Sequence, residues 1–442
     1  MRDYVLTAII FSLVPLCFLR PWIGILVWYW FGLMNPHRLT WSFAYSMPFA
    51  MVIGGAVLLG TLVARDRKPI PWNGPLVLVV VLLVYYTFTT FFAWAPAYAW
   101  PQWEKVAKIV LTTLVATMFI YGKDRIRALL LVVVFSIGFY GVKGAFFVIR
   151  RAGLERVEGP DGSFIAGNTF LGLALSMVIP LLVMLAREEQ RPWLKRLLYA
   201  TAALSFVSTI FTYSRGAFLS LGAITVLLFF HLKHKVLALL ILIPAIFLAP
   251  GVLPDQIFQR AELITNYEEE GSANERLQSW TVAIGIAKDN PFTGAGFEFE
   301  YAPDDTRWLS YGDPKYERFL RHSSAAHSIY FQVLGQHGIL AFVLYLALLF
   351  GTLISLRRAK AAARSIPGAE WIINYATGVQ IALGGYMVAG AFLSSAYFDL
   401  AYLFYALSAI LNRELRTLEL AEKPRSLPGP NDLVPVATGR GT

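Results

Sequence analysis

Charge is what this sequence has least of. Of its 442 residues only 15% are charged, against 57% hydrophobic and 15% aromatic, whereas ordinary soluble domains run about 25% charged. A soluble enzyme of this length has no core large enough to hide so much apolar surface. Cysteine is nearly absent as well: Cys17 stands alone, which excludes a disulfide scaffold. Neither an internal repeat nor a Gly-rich nucleotide loop is visible, and the apolar content excludes a disordered chain. With a mean hydropathy of +0.57, the class that remains is an all-α polytopic membrane protein. The apolar run that begins after Asp3 has no small-residue cleavage site followed by a soluble segment, so a removable secretory leader is not expected.

Apolar segments of spanning length recur at 46–64, 72–94, 105–122, 125–149, 168–187, 196–213, 216–233, 236–253, 329–356, 370–394 and 396–412. The net charge of +10 is unevenly placed along them. Basic clusters at Arg65–Lys68, Lys123–Arg125, Arg187–Arg196, Lys233–Lys235, Arg357–Arg364 and Arg413–Arg416 fall at every second connection. The positive-inside rule puts those connections in the cytoplasm. The others face outward: 36–45, 95–104, 150–167, the turn at 213–216, 254–328 and 394–399. The stretch 3–34 is long for one span and short for two. One crossing, kinked at Pro21, gives about twelve spans and a cytoplasmic N-terminus, and a hairpin gives one more.

Four parts follow: an N-terminal membrane bundle (1–253), an outer loop (254–328), C-terminal membrane helices (329–412), and a cytoplasmic tail (413–442) whose Pro/Gly-rich end reads as disordered. The loop is the one sizeable non-membrane piece. From Asp255 to Arg321 it holds 13 acidic and 7 basic residues, a net of −6, so the rest of the chain is strongly basic. Amphipathic patterns at Gln256–Ile264 and Arg276–Ile286, with turn signals at Asn290-Pro291 and Gly294-Ala295-Gly296, predict a helical lid over the outer face.

Polar groups near membrane depth are costly and need a reason. Arg215, between Ser214 and Gly216, stands at the outer junction of two apolar segments. It reads either as a helix-end arginine snorkelling to the interface or as an anion clamp flanked by small residues. Arg276 follows Glu275 and reads either as a surface ion pair or, with Trp280, as part of a site. Six histidines are present. His231 and His234 sit in a basic turn, and His37 follows Asn35-Pro36. His322, His327 and His337 cluster where the loop returns to the membrane. No HExxH or Cys/His ligand set accompanies them, so neither zinc nor another metal is expected. His327 at a cavity mouth suits a general base. His337, about 15 Å further along a helix, lies too deep to share that role.

These residues fall into a pattern. His327-Ser328, nine residues, then Gly338 resembles the signature of the O-antigen ligase and polymerase superfamily. Arg276-x3-Trp280-x2-Ala283, followed by Asn290-Pro291-Phe292-x-Gly294-x-Gly296, resembles that superfamily's outer-loop pattern. Ser214-Arg215-Gly216-Ala217 resembles its membrane arginine motif, and Gly167-Asn168-Thr169 loosely resembles its Gly-Asn-Pro-Asn element. The Ile339-Leu340-Ala341 that follows Gly338 departs from the usual ligase ending, which leaves ligase and polymerase both open. The Asn35-Pro36-His37 beginning also resembles O-glycosylation ligases.

The resemblance implies a GT-C-like membrane enzyme of the bacterial inner membrane. It would move a glycan from undecaprenyl diphosphate to a hydroxyl of lipid A-core, or of a protein or growing glycan, at the periplasmic face. It assigns His327 as base and Arg215 and Arg276 to the diphosphate, with Ser328, Asn168, Trp280 and Gly338 in support. No cofactor and no nucleic-acid partner is implied. A lipid-linked glycan transporter is the competing reading, and it should show inverted repeats and broken mid-membrane helices; the sequence shows neither, and its candidate charges gather on one face.

Overall fold

The computed structural model describes residues 1–231, 271–315 and 325–422. Among them it is helical throughout: α1 (Arg2–Leu19), α2 (Pro21–Met34), α3 (Phe49–Val63), α4 (Gly74–Phe91), α5 (Pro96–Phe119), α6 (Gly122–Arg150), α7 (Gly167–Glu188), α8 (Pro192–Ile210), α9 (Arg215–His231), α10 (Gly271–Asp289), α11 (Ile329–Ala363), α12 (Glu370–Gly390) and α13 (Asp399–Glu422). Five of these helices, α1, α4, α6, α7 and α11, are long and apolar enough to cross a membrane. The chain is a multi-pass membrane protein. The span read at 236–253, the amphipathic stretch 256–264, His234 and His322 lie outside the described residues.

Sequence chemistry explains the helix ends. Proline opens α2, α5 and α8, where its missing N–H costs nothing. Asn73 caps α4 by accepting the Leu76 N–H at 3.0 Å. Asn35 closes α2 in the left-handed region, its amide donating to the Gly32 carbonyl at 2.7 Å. The helix α7 sits at the centre, buried on nearly all sides, which is why it reads as continuously apolar rather than amphipathic. Small residues bring α6 and α8 close: Gly138, Gly141 and Gly144 face Thr201, Ser205 and Ser208, and Ser208 donates to the Gly141 carbonyl at 2.5 Å.

The connections sort into two rims, as the charge alternation predicts. On the basic rim Arg125 pairs with Asp66 at 3.1 Å, Arg127 with Glu189, and Lys123 with Glu188 at 3.5 Å. Arg413 donates to the carbonyls of Thr117 and Ile120, both at 2.6 Å. That anchor carries α13 on to Glu422, so residues 413–422, expected to be tail, are helix. On the opposite rim, α5 already starts at Pro96 and absorbs most of the 95–104 connection.

Of the two readings of the stretch 3–34, the structure takes the hairpin rather than the single kinked crossing. α1 and α2 fold back on each other. Asp3, at the start of α1, accepts the N–H groups of Ser42 and Ala44 at 3.0 and 3.3 Å, beyond the end of α2. Tyr4 packs on Phe43 with ring centroids 5.4 Å apart. Near the turn, Gly24 lies against the backbone of Cys17. Length alone could not reveal this hairpin, because the one-residue break at Arg20 and the small Gly24 are what let the two helices meet. The start of the chain therefore shares a rim with 36–45 and with Asp161, whose carbonyl accepts from Tyr45 at 3.5 Å.

The helix expected at Arg276–Ile286 is α10, longer at both ends. Its apolar side builds a small core of Val282 and Ile286 with Ala295, Phe299 and Trp308. The Gln278 side chain clamps the backbone of Asp313 from both sides, at 3.0 and 3.3 Å.

Candidate active site

The site grows from the start of α11. Ser328 caps that helix in an extended conformation, and His327 just before it has φ +45°. A non-glycine residue held left-handed costs energy and is found where surrounding contacts over-determine it. Here those contacts come from α10. The Trp280 indole N–H donates to the Ala326 carbonyl at 2.8 Å, and its ring stacks on Phe331 at 4.8 Å. Arg276, one turn before Trp280, lies on the same face of α10. The His327 side chain reaches solvent, yet desolvation by its neighbours holds the imidazole below its ordinary pKa, the Arg276 charge adds to this, and Glu275 opposes it. Ser328 is buried, and its hydroxyl meets no hydrogen-bond partner among the described residues.

Arg215 opens α9 on the same rim. The turn before it is built tightly: Tyr213 has φ +54° and its hydroxyl donates to the Gly153 carbonyl. Asn168, at the start of α7, donates to the Thr212 carbonyl at 2.8 Å and so fixes the turn that presents Arg215. Its structural task is therefore visible.

The Arg215 turn and the His327 turn flank the same end of α12. Gly216 sits against the Ala389 carbonyl, and Gly390 faces the Ile329 side chain. Tyr330 donates to the Met387 carbonyl at 3.0 Å. The residues named from the sequence thus fall into two groups, Asn168 with Arg215 and Arg276 with Trp280 and His327, and one helix end joins them.

Gly338 does something else. It breaks α11 with φ +80° and ψ −175°. The broken turn frees backbone groups, and the Asn290–Gly296 segment pairs with them. Ile339 N–H donates to the Pro291 carbonyl at 2.8 Å, Ala295 N–H to Gly335 at 3.0 Å, and Gly296 N–H to Gln336 at 2.8 Å. Gly294, with φ +60°, lies against the backbone of Gln336 and His337. The glycines of both motifs are two halves of one joint that docks the lid onto the membrane bundle.

His337 occupies the core beside that joint. Its Nδ1 meets the Thr89 hydroxyl at 2.6 Å and its Nε2 the Tyr397 hydroxyl at 2.9 Å. Tyr397 donates to Gln336 Oε1 at 2.8 Å, and the Gln336 amide donates to both oxygens of Glu300 at 3.2 and 3.4 Å. With its proton committed to Gln336, the Tyr397 oxygen accepts from Nε2–H. That assigns His337 to packing, for a more specific reason than depth. Burial, then the neighbouring Glu298 charge, push the Glu300 carboxyl up to about 8. Sequence reading missed Glu300, Gln336 and Tyr397. Within an acidic loop, a carboxylate with a buried amide partner looks like any solvated one.

A cavity of about 740 Å³ between α2, α3 and α5 is lined by none of these residues and is mostly apolar. Among the described residues no group of three or more His, Cys, Asp or Glu side chains is placed to hold a metal ion.

Residues 200–346 match a family described as O-antigen ligase. That match supports the resemblance to the O-antigen ligase and polymerase superfamily carried by the motifs of this segment. The matched segment contains Arg215, Arg276, His327 and the Gly338 joint. Residues 1–190, with the α1–α2 hairpin and Asn168, match a family of unknown function. No curated protein matches the chain. Members of the family matched over residues 200–346 are glycosyltransferase-type enzymes that work in a context of lipid-linked glycan and membrane lipid.

Proposed function

We propose that the protein transfers a glycan from an undecaprenyl diphosphate carrier to an acceptor hydroxyl on the rim that carries α10, which faces the periplasm of a bacterial inner membrane. The observation that carries this is that the solvent-exposed His327, at the start of α11, has its imidazole held below its ordinary pKa in part by the charge of Arg276 on α10. Breaking the bond between the anomeric carbon and the phosphate oxygen leaves charge on the lipid diphosphate. Arg215 and Arg276 bind that charge with planar forks, a task other transferases give to a divalent metal. The acceptor oxygen forms the new bond from the opposite face, inverting the anomeric carbon, and its proton passes to His327. Lipid A-core is the acceptor of the ligase reading. A growing glycan or a protein hydroxyl fits the same chemistry, and the departure after Gly338 keeps the polymerase reading beside it.

The pH profile tests the assignment. The base works only when neutral. Because desolvation and Arg276 lower its pKa, transfer should hold to a lower pH than an ordinary histidine, about 6.5, would permit. Arg276→Gln removes the charge, so the acid limb should move upward, separately from any loss of donor affinity. An acid limb that stays in place would dissociate His327 from Arg276.

A further inference from the structure

A second cavity, about 270 Å³, opens where the lid meets the ends of α12 and α13. Glu298, Glu300, Gln332, Ser395 and Asp399 line it together with Tyr301. Its walls touch both halves of the site. Gln332 lies one turn along α11 from Ser328, about 6 Å of helix rise, and Ala166 and Phe170 flank Asn168 on the other wall.

Several of its polar groups are buried with capacity to spare. Ser395 is 6% exposed, and its hydroxyl has no hydrogen-bond partner among the described residues. Asp399 Oδ1 is likewise unpartnered among them. Gln332, also 6% exposed, commits its Oε1 to the Ala396 N–H at 3.0 Å, which turns its amide NH₂ away from that contact. Glu300, 3% exposed, receives the Gln336 amide and its own backbone N–H and retains further lone pairs. Leaving such groups unmatched is costly, because each has given up its hydrogen bonds to water. The cavity is therefore built to be filled by something polar.

The charge disfavours a phosphate. Among the described lining residues Lys105 is the one cation, and it acts on the carboxyl groups of Glu298 and Asp399. Hydroxyls suit the lining: they donate to carboxylates and accept from the Gln332 amide and the Ser395 hydroxyl. Phe164 and Phe398, with ring centroids 5.1 Å apart, add flat apolar surface for a sugar's C–H face.

We propose that this cavity is a saccharide subsite, in which Glu300, Gln332 and Ser395 hold the hydroxyls of the sugar beside the reacting bond. The chain from Gln336 through Tyr397 and His337 to Thr89 holds Glu300 in position. Raised toward 8, the Glu300 carboxyl is largely protonated at neutral pH, so it donates one hydrogen bond and accepts others. The proposal rests on the glycan-transfer reading above. The sugar belongs either to the donor or to the acceptor.

The test uses the full-length protein in nanodiscs, with Glu300→Gln and Ser395→Ala as separate variants. The first arm measures binding of undecaprenyl diphosphate with and without an attached sugar. The second measures the acceptor KM in steady-state transfer. If the sugar is the donor's, each variant reduces the preference for the sugar-bearing lipid by about tenfold and leaves bare diphosphate binding unchanged. If it is the acceptor's, the acceptor KM rises by a similar factor and donor binding stays put. Variants that fold, as judged by unchanged bare-lipid binding, and alter neither quantity would overturn the subsite. Transfer in wild type, lost in His327→Ala, shows independently whether the underlying reading stands.

Discussion

His327→Ala is expected to reduce single-turnover transfer by a factor on the order of 10²–10⁴, the usual contribution of a positioned general base. Donor binding should barely change, because a neutral imidazole interacts most strongly with the acceptor proton in the transition state. The arginines should behave differently. Arg215→Ala or Arg276→Ala removes a contact to a phosphate already charged in the ground state, so donor affinity and transfer should fall together. Arg→Lys should restore only part, since a point charge does not reproduce a bidentate fork. His337→Ala gives the contrast. It empties a core position bonded to Thr89 and Tyr397, so it should lower thermal stability while transfer per folded molecule suffers far less than in His327→Ala. Near wild-type transfer by His327→Ala would remove the base and leave positioning and the arginines as the explanation.

Gly338→Ala should be nearly as damaging by another route. Alanine at φ +80° is strained, and its Cβ would press on the Pro291 carbonyl. Together these cost about 3 kcal/mol. α11 would resist the break, and the Asn290–Gly296 segment would lose its partners at 335–339. The expected result is a protein whose lid detaches: transfer falls sharply, and limited proteolysis cuts between α10 and α11 faster than in wild type. Gly294→Ala, on the other half of the joint, should produce the same proteolytic pattern. If Gly338→Ala keeps the lid protected yet loses activity, the glycine acts on the substrate rather than on the joint.

These two cases show how much the sequence tells and where it stops. Hydropathy and alternating charge were enough for the rims, since both are set by the bilayer and act on every connection alike. The spacing of Arg276 and Trp280 was readable because a helix repeats its face every three to four residues. The α1–α2 hairpin was not readable, because it turns on a single residue at Arg20 and on an Asp3 contact some forty positions away. His327 and Gly338 share one motif but do unrelated work, and only the pairing of Pro291 with Ile339 separates them. Glu300 stayed hidden for a similar reason: what distinguishes it is Gln336, which belongs to a different element.

The most direct test of the central claim is a reconstituted assay in proteoliposomes. It needs purified protein, undecaprenyl diphosphate-linked glycan, and lipid A-core, glycan and protein acceptors supplied separately. One acceptor should gain a glycosidic bond of inverted anomeric configuration, with one undecaprenyl diphosphate released per bond. Because Arg215 and Arg276 serve the leaving group, EDTA should leave the rate unchanged. Intact donor moved across the bilayer with no bond formed, or transfer lost in EDTA and restored by magnesium or manganese, would contradict the account.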